Sequence, residues 1–575
     1  MSKPKENSNI EMIRHSLSHI LAQAVKELYP KVKFGIGPAI ENGFYYDFDN
    51  LELTEQDLKK IEDKMKEIIK KNIKIEHKLL SRDEAKKILK EQKYKLELLN
   101  ALEDKKISFY EQGNFIDMCI GPHVESTGKI NTKAFKLTHI ADAYWKGSSE
   151  NQMLKRIYGI AFESEKDLNN YLKQLEEAEK RDHRKIGREQ ELFMTHELAL
   201  PGSPFFLAKG AIIYNELMKF IREEYKKRDY KEVITPLLYK KKLWETSGHW
   251  EHYKDDMFCM KIGNEEYSLK PMNCPSHCLI YKNRIRSYRD LPLRIADFAC
   301  LHRNELGGVL GGLTRVTKFS QDDAHIFCTE EQIMSEIEEL LEFVKYIYKI
   351  FKMEYTANLS TRPEKFMGEK SQWDKAEKAL KEALEKNKIK YQIKNGEGAF
   401  YGPKIDFDLK DVLGRNWQLP TIQLDFQMPG RFELAYEGSD GKKHTPVMIH
   451  RAILGSLERF IGVIIEHYAG KFPLWLSPVQ IKVLSLSQNN MKTTEKITLE
   501  LKDKGFRVES DIRDCTVQAK IRDAELERIN YVIVIGDKEE QNKTLAIRPR
   551  GDKPKFGVKI EDFVKQLENE IKEKI

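Results

Sequence analysis

The chain has 575 residues and a formal net charge of +7, from 98 basic and 91 acidic side chains. At about 150 residues per domain this length predicts roughly four domains, which excludes a peptide hormone, a disulfide mini-scaffold and a lone binding module. With 40% apolar and 33% charged residues the composition is globular, and the weak positive charge permits a nucleic-acid partner without requiring one.

The compartment is indicated by the cysteines and by the absence of targeting patterns. The chain has 7 cysteines, and this odd and sparse count favours a reducing compartment over a disulfide framework. No apolar run approaches the roughly 18 residues of a membrane span. The N-terminus, MSKPKENSNIEMIRHS, is polar and lacks the apolar core of a signal peptide. We therefore expect a cytoplasmic protein with no membrane partner.

Residues 1–160 are predicted to mix short helices and strands, beginning with an amphipathic helix over 10–28. His15 and His19 lie one turn apart on one face of this helix. The later segment DMCIGPH carries Asp117, Cys119 and His123, and its Gly-Pro turn would let the thiol and the imidazole face a common point.

Three interpretations of these five residues stay open. Either pair alone is most simply a set of unrelated polar residues of the core or surface. Taken together, the HxxxH and CxxxH spacings fit a metal site. They also fit a metal-free hydrolytic pocket, in which imidazoles and a carboxylate position a water molecule. Spacing alone does not choose between the last two.

The next segment, 165–192, is highly charged and helical in pattern, which predicts a connecting helix at a domain boundary. An α+β pattern follows over 205–470, with helices predicted at 210–228, 331–352 and 450–468 and strands at 231–238, 293–300, 404–409 and 420–427. From 479 onward strands and helices alternate up to a final helix at 560–573. This alternation predicts a compact α/β domain with a parallel or mixed sheet.

A glycine-rich stretch with Gly307, Gly308, Gly311 and Gly312 lies between Arg303 and Arg315. Guanidinium groups bind phosphate through two donors at once, so two arginines at the sides of such a hairpin predict a phosphate clamp. The loop has neither the P-loop pattern nor the dinucleotide-binding glycine pattern. Phe319 follows closely and could stack on a base.

From this point the motifs resemble a known family. The segment from Arg303 to His325 resembles motif 2 of class II aminoacyl-tRNA synthetases, Pro236 resembles the proline of motif 1, and GSLER at 455–459 resembles motif 3. Within that class, KPMNCPSH, QDDAHIFCTEEQ, GEGAFYGPKI, TIQLDF and VMIHRAILGS are similar to the threonyl-tRNA synthetases. HSLSH and CIGPH resemble the editing domain of that family, and the C-terminal segment resembles its anticodon-binding domain. The chain is identified as a member of this family, of the bacterial type.

The resemblance implies an α+β fold in three parts. These are an N-terminal α+β editing domain at 1–164, a class II catalytic core with an antiparallel sheet at 193–475, and an α/β anticodon-binding domain at 476–575, with a linker helix at 165–192. The family usually carries a small ubiquitin-like domain before the editing domain. Because HSLSH begins at residue 15, we expect that domain to be missing here.

The implied activity is the ATP-dependent ligation of L-threonine to tRNA(Thr) through a threonyl-adenylate. Cys274, His325 and His450 take the positions of the family's zinc ligands, one Zn2+ per subunit, and three protein ligands leave one coordination position open for threonine. Valine is nearly isosteric but cannot ligate. The neighbouring His277 and Cys278 have no ligand role in the family pattern. The remaining implied substrate-binding residues are Met272, Asp323, Tyr401 and Gln423.

ATP, as its Mg2+ complex, is expected to contact Arg303, Glu305, Arg315, Phe319 and Arg459. Catalysis would rest on positioning and on neutralisation of charge. The implied catalytic residues are Arg303, Lys404, Arg459 and Gln321, with His249 assisting transfer to the terminal ribose hydroxyl of tRNA.

A second, hydrolytic site is expected because serine differs from threonine by one methyl group, which is worth only about 1–3 kcal/mol of discrimination. The residues that match the family's seryl-tRNA editing pocket are His15, His19, Lys95, Asp117, Cys119 and His123. The resemblance favours water activation without a required metal, and a metal site is the alternative. Anticodon bases would be read by Arg528, Glu539 and Arg548, and motif 1 implies a homodimer.

Two other classes of function compete with the ligase. A non-catalytic RNA-binding or regulatory protein on a synthetase scaffold would be expected to have lost Arg303, Arg459 or a zinc-ligand residue, and all are present. A free-standing editing hydrolase would not need the block 205–470, which is intact. The ligase is therefore the favoured interpretation.

Overall fold

The computed structural model describes residues 9–148, 150–305 and 307–575, and the chain divides into two compact units, Met1–Glu176 and Glu177–Ile575. The division falls inside a helix, Glu165–Arg181, within the predicted linker 165–192. The exact domain limits at 164, 192 and 475 stay predictions. Most of the polar N-terminal stretch, residues 1–8, lies outside the described residues. Within the described ranges, no helix combines the length and the hydropathy needed to cross a bilayer.

The first unit combines helices with two antiparallel sheets. Its helices are α1 Asn9–Leu28, α2 Glu55–Lys70, α3 Arg82–Ile88 and α4 Lys93–Ala101, and the helix α5 Glu165–Arg181 begins in this unit and ends in the second. Its strands are β1 Lys33–Phe34, β2 Ala39–Ile40, β3 Gly43–Asp49, β4 Ile75–Ser81, β5 Lys106–Gln112, β6 Phe115–Met118, β7 Phe135–Tyr144 and β8 Met153–Ala161. The strand order is β1-β3-β8-β7 in one sheet, with β2 paired to β3, and β4-β5-β6 in the other.

The predicted amphipathic helix is confirmed as α1. Its residues Leu17, Ile20 and Leu21 are fully buried in an apolar core that also takes in α2 and the sheet containing β3. Strand β6 ends at Met118, immediately before Cys119. The packing of α1 and the end of β6 therefore decide where the two predicted residue pairs meet.

The catalytic part of the second unit is larger. Its helices are α6 His183–Glu189, α7 Ala208–Lys227, α8 Lys241–Ser247, α9 His249–His252, α10 Cys274–Lys282, α11 Ile333–Ile350, α12 Lys370–Lys386, α13 Met428–Arg431 and α14 Leu457–His467. Its first strands are β9 Phe193–Met194, β10 Phe205–Phe206, β11 Lys231–Glu232, β12 Leu238–Lys240, β13 Cys259–Ile262, β14 Glu265–Leu269, β15 Arg286–Ser287, β16 Leu293–Asp297, β17 Cys300–His302 and β18 Lys318–Ser320. The others are β19 Asp323–Cys328, β20 Glu354–Ser360, β21 Tyr391–Lys394, β22 Lys404–Lys410, β23 Asn416–Asp425, β24 Tyr436–Glu437, β25 Lys443–His444 and β26 Val447–Ala452.

The centre of this part is an eight-stranded sheet of order β11-β16-β19-β26-β23-β22-β20-β21. The six inner strands run antiparallel, and β11 and β21 pair with them in parallel at the two edges. Alternate residues of β19 and β26, such as Ile326 and Ile449, join one apolar core with helices α7, α11, α12 and α14. The opposite face of the same strands is therefore free to carry polar groups.

The prediction of a single helix over 450–468 was wrong at its beginning. Residues Val447–Ala452 form β26, and the helix α14 starts at Leu457 after Ser456, whose Oγ accepts the Arg459 backbone N–H at 3.0 Å. All six residues of β26 are buried, so the strand lacks the alternation of a half-buried strand. A short apolar run of this kind cannot be told from a buried helix by periodicity.

The C-terminal part of the second unit has helices α15 Met491–Asp503, α16 Val517–Leu526, α17 Asp537–Asn542 and α18 Ile560–Glu573. Its strands are β27 Ile481–Ser485, β28 Val508–Asp511, β29 Tyr531–Ile535, β30 Leu545–Pro549 and β31 Lys555–Val558. In the order β28-β27-β29-β30-β31 the first three strands are parallel and the last two antiparallel. The predicted parallel or mixed sheet is confirmed.

Candidate functional site

Four of the predicted site residues lie in one row across the central sheet. Lys404 on β22 is opposite Gln423 on β23, Gln423 is opposite His450 on β26, and His450 is opposite His325 on β19. Directly opposed residues of neighbouring strands point to the same face. Because Ile449, next to His450, points into the helix-covered core, this row lies on the other face.

Cys274, at the start of α10, joins the row to complete a cluster of metal-ligand type. Its Sγ and one ring nitrogen each of His325 and His450 all lie within 4.8 Å of one another, and all three residues are buried. One thiolate and two imidazoles form a donor set that suits zinc, and three protein ligands leave one tetrahedral position open. The residues present therefore fit a zinc ion.

Two further residues orient the imidazoles. Nε2 of His450 donates to Asp425 Oδ2 at 3.0 Å, and Nδ1 of His325 lies 2.7 Å from Nδ1 of His277. These contacts leave Nδ1 of His450 and Nε2 of His325 as the nitrogens available to a metal. In metal sites the other ring nitrogen of a histidine ligand usually has a hydrogen-bond partner of this kind. Sequence reasoning missed these supporting roles, although Asp425 stands in TIQLDF and His277 in KPMNCPSH.

The protonation states in the cluster follow from burial. Burial, followed by the neighbouring His277 and His450, holds the pKa of His325 well below its usual range, so its imidazole is neutral. Burial, followed by Asp323, raises the pKa of the Cys274 thiol well above its usual range. A bound cation would be needed to hold the thiolate.

A cleft of about 420 Å³ opens on this cluster. Its lining contains most of the predicted substrate-binding and catalytic residues: Met272, Arg303, Gln321, Asp323, Tyr401, Lys404, Gln423 and Arg459, together with Cys274, His325 and His450. Within it the Tyr401 ring stacks on His450, with ring centroids 4.8 Å apart, and the Tyr401 hydroxyl donates to Gln423. Asp323 accepts from Asn273 Nδ2 at 3.0 Å, and burial raises the pKa of its carboxyl. The cleft thus joins an acid, an amide and the metal-ligand cluster.

A second cavity of about 120 Å³ adjoins the cleft and shares Arg303, Gln321 and Arg459 with it. It adds Glu305, Arg315 and Phe319, the other residues expected around ATP. The predicted hairpin is present, because β17 pairs antiparallel with β18. Leu306, within the hairpin, lies outside the described residues.

The charge in this second cavity is strongly positive. Arg459 donates from Nε to Thr314 O at 2.7 Å, and burial followed by Arg315 and Arg303 lowers the pKa of its guanidinium. Arg315 pairs with Glu305 at 2.8 Å. Three arginines that repel one another in a cavity make a site for a polyanion.

The side chains of Phe319 and His249 are both buried. Phe319 is buried, and the Arg303 guanidinium lies 5.1 Å from its ring centroid. His249 is fully buried behind the cleft, with Nε2 3.1 Å from Met272 Sδ and Nδ1 2.8 Å from Ser247 Oγ. Burial, then His450 and Arg303, lowers the pKa of His249 to about 3, so its imidazole is neutral.

In the first unit the two predicted residue pairs come together. Cys119 Sγ lies 3.2 Å from Nε2 of His15 and 3.4 Å from Nε2 of His123, and the rings of His19 and His123 have centroids 4.3 Å apart. The turn requires Gly121, which has a positive φ of 78° and whose added Cβ would lie 2.2 Å from the Tyr110 hydroxyl. The four ligand atoms are close enough to hold a metal, so geometry leaves the metal-bound and metal-free interpretations open.

A buried ion pair lies beside this cluster. Lys95 Nζ is 2.8 Å from Asp117 Oδ1, and both side chains are almost completely buried. Asp117 also accepts from the Tyr46 hydroxyl and from the Met118 backbone N–H. Burial raises the pKa of the nearby Cys119 thiol to about 11, so the thiol is protonated at neutral pH. The pocket thus combines imidazoles, a thiol and a carboxylate held by a lysine.

The structure brings together two of the three residues expected to read the anticodon. Glu539 and Arg548 line one groove of about 430 Å³ in the C-terminal part, together with the exposed Phe556. Arg528 does not lie in this groove. Its Nη2 is 3.3 Å from Glu189 on α6, and its backbone has a positive φ of 61°.

Comparison with protein families accounts for three segments of the chain. Residues 258–468 match the family described as the tRNA synthetase class II core domain (G, H, P, S and T). Residues 480–570 match the anticodon binding domain, and residues 107–158 match the threonyl and alanyl tRNA synthetase second additional domain. The first segment contains the cleft residues named above, the second contains the groove, and the third contains part of the histidine–cysteine cluster.

Individual relatives extend the match over nearly the whole chain. The threonine–tRNA ligase of Acetivibrio thermocellus is 53% identical over 565 residues, which cover 98% of this chain and 88% of the relative. That of Thermotoga neapolitana is 52% identical over 568 residues, with the same shares covered. The crystal structure of the RNA binding domain of threonyl-tRNA synthetase from Cryptosporidium parvum is 46% identical, with a TM-score of 0.66, and covers 68% of this chain and 98% of that one. The chain therefore belongs to the threonine–tRNA ligase family of class II aminoacyl-tRNA synthetases, with an editing domain and an anticodon-binding domain.

Proposed function

We propose that the cleft of the second unit activates L-threonine with ATP as threonyl-adenylate, selects threonine through zinc, and transfers it to tRNA(Thr). The observation that supports this most directly is the continuity of the two cavities. A thiol–imidazole cluster opens into the same cleft as Arg303 and Arg459, which also line the adjoining electropositive cavity. An amino acid held at the cluster would therefore have its carboxylate directed towards a nucleotide held by the arginines.

Selection of threonine rests on the cluster of Cys274, His325 and His450. Bound there, zinc would accept the amino group and the hydroxyl of threonine as ligands in addition to the three side chains. Asp323, in the same cleft, is the hydrogen-bond acceptor for the N–H groups of the threonine amino group, since burial disfavours its lone carboxylate and a positively polarised donor would restore it. Valine has no hydroxyl and would leave the hydrogen-bonding groups of the site unpaired, which is the strongest basis for rejection.

Activation is a displacement at phosphorus. An oxygen of the threonine carboxylate attacks the α-phosphorus of ATP, the bond from that phosphorus to the α,β-bridging oxygen breaks, and pyrophosphate leaves with Mg2+. Arg303, Lys404 and Gln321 hold the α-phosphate and the reacting carboxylate, and Arg459 holds the γ-phosphate. Glu305 and Phe319 are the contacts for adenine, and Arg315 completes the phosphate site. Catalysis follows from orientation and from charge neutralisation at these fixed groups.

Transfer uses the terminal ribose hydroxyl of tRNA, whose oxygen attacks the threonyl carbonyl and displaces AMP. We assign His249 to assist this step. Its imidazole is neutral and its Nε2 contacts Met272 at the edge of the cleft. Glu539 and Arg548 are the proposed contacts to unstacked anticodon bases, since their side chains can hydrogen-bond base edges. Arg528 would contribute from its position next to Glu189.

The first unit is proposed to hydrolyse seryl-tRNA(Thr). Serine retains the hydroxyl that selects threonine, so the cleft alone would pass it at a rate only about 10–200-fold lower. His15, His19, Cys119 and His123 surround one point, and the Lys95–Asp117 pair lies beside it. Neutral imidazoles next to a carboxylate can orient and deprotonate a water molecule without a metal.

The active protein is proposed to be a homodimer through the segment before Pro236. Ile234 lies in that segment and is 95% exposed, and Ile285 is 91% exposed. A second copy of the chain would cover these side chains.

Threonine-dependent pyrophosphate exchange tests the ligase activity. The zinc-loaded protein should catalyse exchange, a zinc chelator should abolish it, and readdition of zinc should restore it. No exchange from fully zinc-loaded protein would refute the proposal.

Editing is tested with the double variant His15→Ala, His19→Ala, which should threonylate tRNA normally and allow seryl-tRNA to accumulate. His139→Ala is the matched control, because His139 is exposed on β7 of the same unit, where its ring stacks on Tyr158 and its Nδ1 lies 3.0 Å from Thr138 Oγ1. Unchanged deacylation of seryl-tRNA by the double variant would exclude this pocket as the hydrolytic site.

A further inference from the structure

We propose that His183 is a positioning residue for ATP binding, which sets the orientation of the loop between β17 and β18 by accepting a hydrogen bond from Leu313. This inference rests on the proposed function of that loop. His183 is the first residue of α6, it is buried, and it belongs to neither of the sites described above. Both of its ring nitrogens have hydrogen-bond partners, Glu466 on α14 and Leu313 in the loop between β17 and β18.

One nitrogen of His183 is held by a carboxylate. Nδ1 donates to Glu466 Oε1 at 2.6 Å, and the His183 backbone N–H donates to the same oxygen at 3.1 Å. Glu466 lies near the end of α14 and also pairs with Arg415. Burial alone would raise the pKa of Glu466, but the hydrogen bonds from His183 and Arg415 outweigh it and the pKa is lowered. The carboxylate is therefore ionised and accepts the hydrogen bond from the Nδ1–H group of His183.

The other nitrogen of His183 faces the loop. The Leu313 backbone N–H donates to Nε2 at 3.0 Å, so Nε2 carries the lone pair and the proton of the ring is on Nδ1. The fit is close, because a Cβ added at Gly312 would lie 2.2 Å from His183 Nε2. Gly312 also has a positive φ of 57°, a backbone conformation that is unfavourable for residues with a side chain. Glycine at position 312 is therefore needed for the loop to approach the imidazole this closely.

The group of Asp182, His183 and Glu466 also has the spacing of a metal site. The hydrogen bonds argue against that use. Nδ1 and Nε2 of His183 have protein partners, and Asp182 binds the Arg184 backbone N–H at 2.7 Å and its guanidinium. A cation would have to displace these hydrogen bonds. A hydrogen-bonded chain from Glu466 through His183 to Leu313 is formed by the contacts already present.

The anchored segment leads directly to the ATP-binding groups. Leu313 precedes Thr314, whose carbonyl oxygen accepts from Arg459 at 2.7 Å. Arg315 follows, and its carbonyl oxygen accepts the Gly311 N–H at 3.1 Å. The buried Leu313 side chain fixes where the segment lies, and the hydrogen bond to His183 fixes how the Gly312–Leu313 peptide is turned. Loss of that bond would leave a buried N–H unpaired and free the peptide to rotate, which would displace the partner of Arg459.

Two substitutions separate the two hydrogen bonds of His183. His183→Asn retains an amide donor near the position of Nδ1 and cannot reach Leu313. His183→Gln retains an oxygen near the position of Nε2 and loses the donor at Nδ1. We expect His183→Asn to raise the KM for ATP in pyrophosphate exchange by at least about fivefold, with the KM for threonine changed less than about twofold. His183→Gln should have a KM for ATP within about twofold of the wild type.

A purely structural role would give a different result. Both variants would then lower the thermal midpoint, and neither would change the KM for ATP relative to that for threonine, which would overturn the proposal. If the His183 variants do not fold, Gly312→Ala disturbs the same contact from the loop. It should raise the dissociation constant of Mg-ATP, measured by calorimetry. Gly430→Ala, whose added Cβ would meet no atom of the described residues within 4 Å, should not. Equal dissociation constants in these two variants would also overturn it.

The proposed function can fail separately. A wild-type chain that binds Mg-ATP but does not catalyse threonine-dependent exchange would refute the proposed function. The Mg-ATP dissociation constants of the wild type, His183→Asn and His183→Gln would still decide whether His183 positions the loop.

Discussion

Replacement of Asp425 by asparagine should weaken zinc binding although Asp425 is not a proposed ligand. Asp425 is fully buried, and its Oδ1 accepts the backbone N–H groups of Gln427 at 2.6 Å and Met428 at 3.0 Å. These two donors would hold the carbonyl oxygen of an asparagine in the same place. The new amide NH2 would then stand where Oδ2 now accepts from Nε2 of His450.

Two donors would face each other in this variant, so His450 would relieve the conflict by carrying its proton on Nδ1. Nδ1 is the nitrogen left for the metal, and a protonated nitrogen cannot ligate. Changes to the hydrogen-bonding partners of metal ligands typically cost 10–100-fold in affinity. Because the fixed backbone donors prevent the amide from turning round, we expect the upper part of this range, which corresponds to about 2–3 kcal/mol of binding free energy.

The measurement is competition for zinc with a chromophoric chelator, combined with the KM for threonine in pyrophosphate exchange. Asp440→Asn is the matched control. Asp440 accepts from Nε2 of His444 at 2.9 Å in an exposed histidine–carboxylate pair of the same unit. The control should bind zinc as the wild type does. Equal zinc affinities of the Asp425 and Asp440 variants would refute the argument that Asp425 sets the tautomer of His450.

Three further outcomes follow from contacts elsewhere in the chain. Lys95→Met leaves the buried Asp117 carboxylate without its cation and should lower the free energy of unfolding by about 3–5 kcal/mol. The control Lys155→Met removes an exposed ion pair and should lower it by at most about 1 kcal/mol. Equal losses of unfolding free energy in calorimetry of the full chain would contradict this. Ile234→Asp places a charge on the proposed subunit interface and should give monomers in sedimentation, and a persistent dimer would count against that interface. Arg459→Ala should lower kcat/KM for ATP in exchange by roughly 10²–10³-fold, and a loss below about tenfold would argue against a role at the phosphates.

The motifs in the sequence predicted most of the cleft because several site residues stand together in short segments. Gln321, Asp323 and His325 lie within five residues, and alternation along β19 sends Asp323 and His325 to the same face. The α+β class and the C-terminal mixed sheet were also predicted correctly from the order of elements. Features that depend on residues close together in the sequence could therefore be predicted from local patterns.

The remaining features depend on contacts between distant segments. Asp425 meets His450 only because β23 and β26 are neighbours, with Gln423 opposite His450. His183 meets Glu466 and Leu313 across 283 and 130 residues of sequence. Neither pairing has a local signal in a single sequence. The location of Arg528 similarly follows from the packing of the C-terminal part next to α6.

The row of opposed residues across the central sheet would make the proposed zinc binding a test of correct folding. A shift of β26 by one residue would bring Ile449 or Arg451 opposite His325 in place of His450 and would turn the imidazole towards the helices. Only the native alignment of the strands brings the proposed ligands together, so a bound ion would stabilise that alignment alone. At a free zinc concentration of 100 times the dissociation constant this preference is worth about 2.7 kcal/mol. The same ion that would distinguish threonine from valine would thus also distinguish the native sheet from a misaligned one.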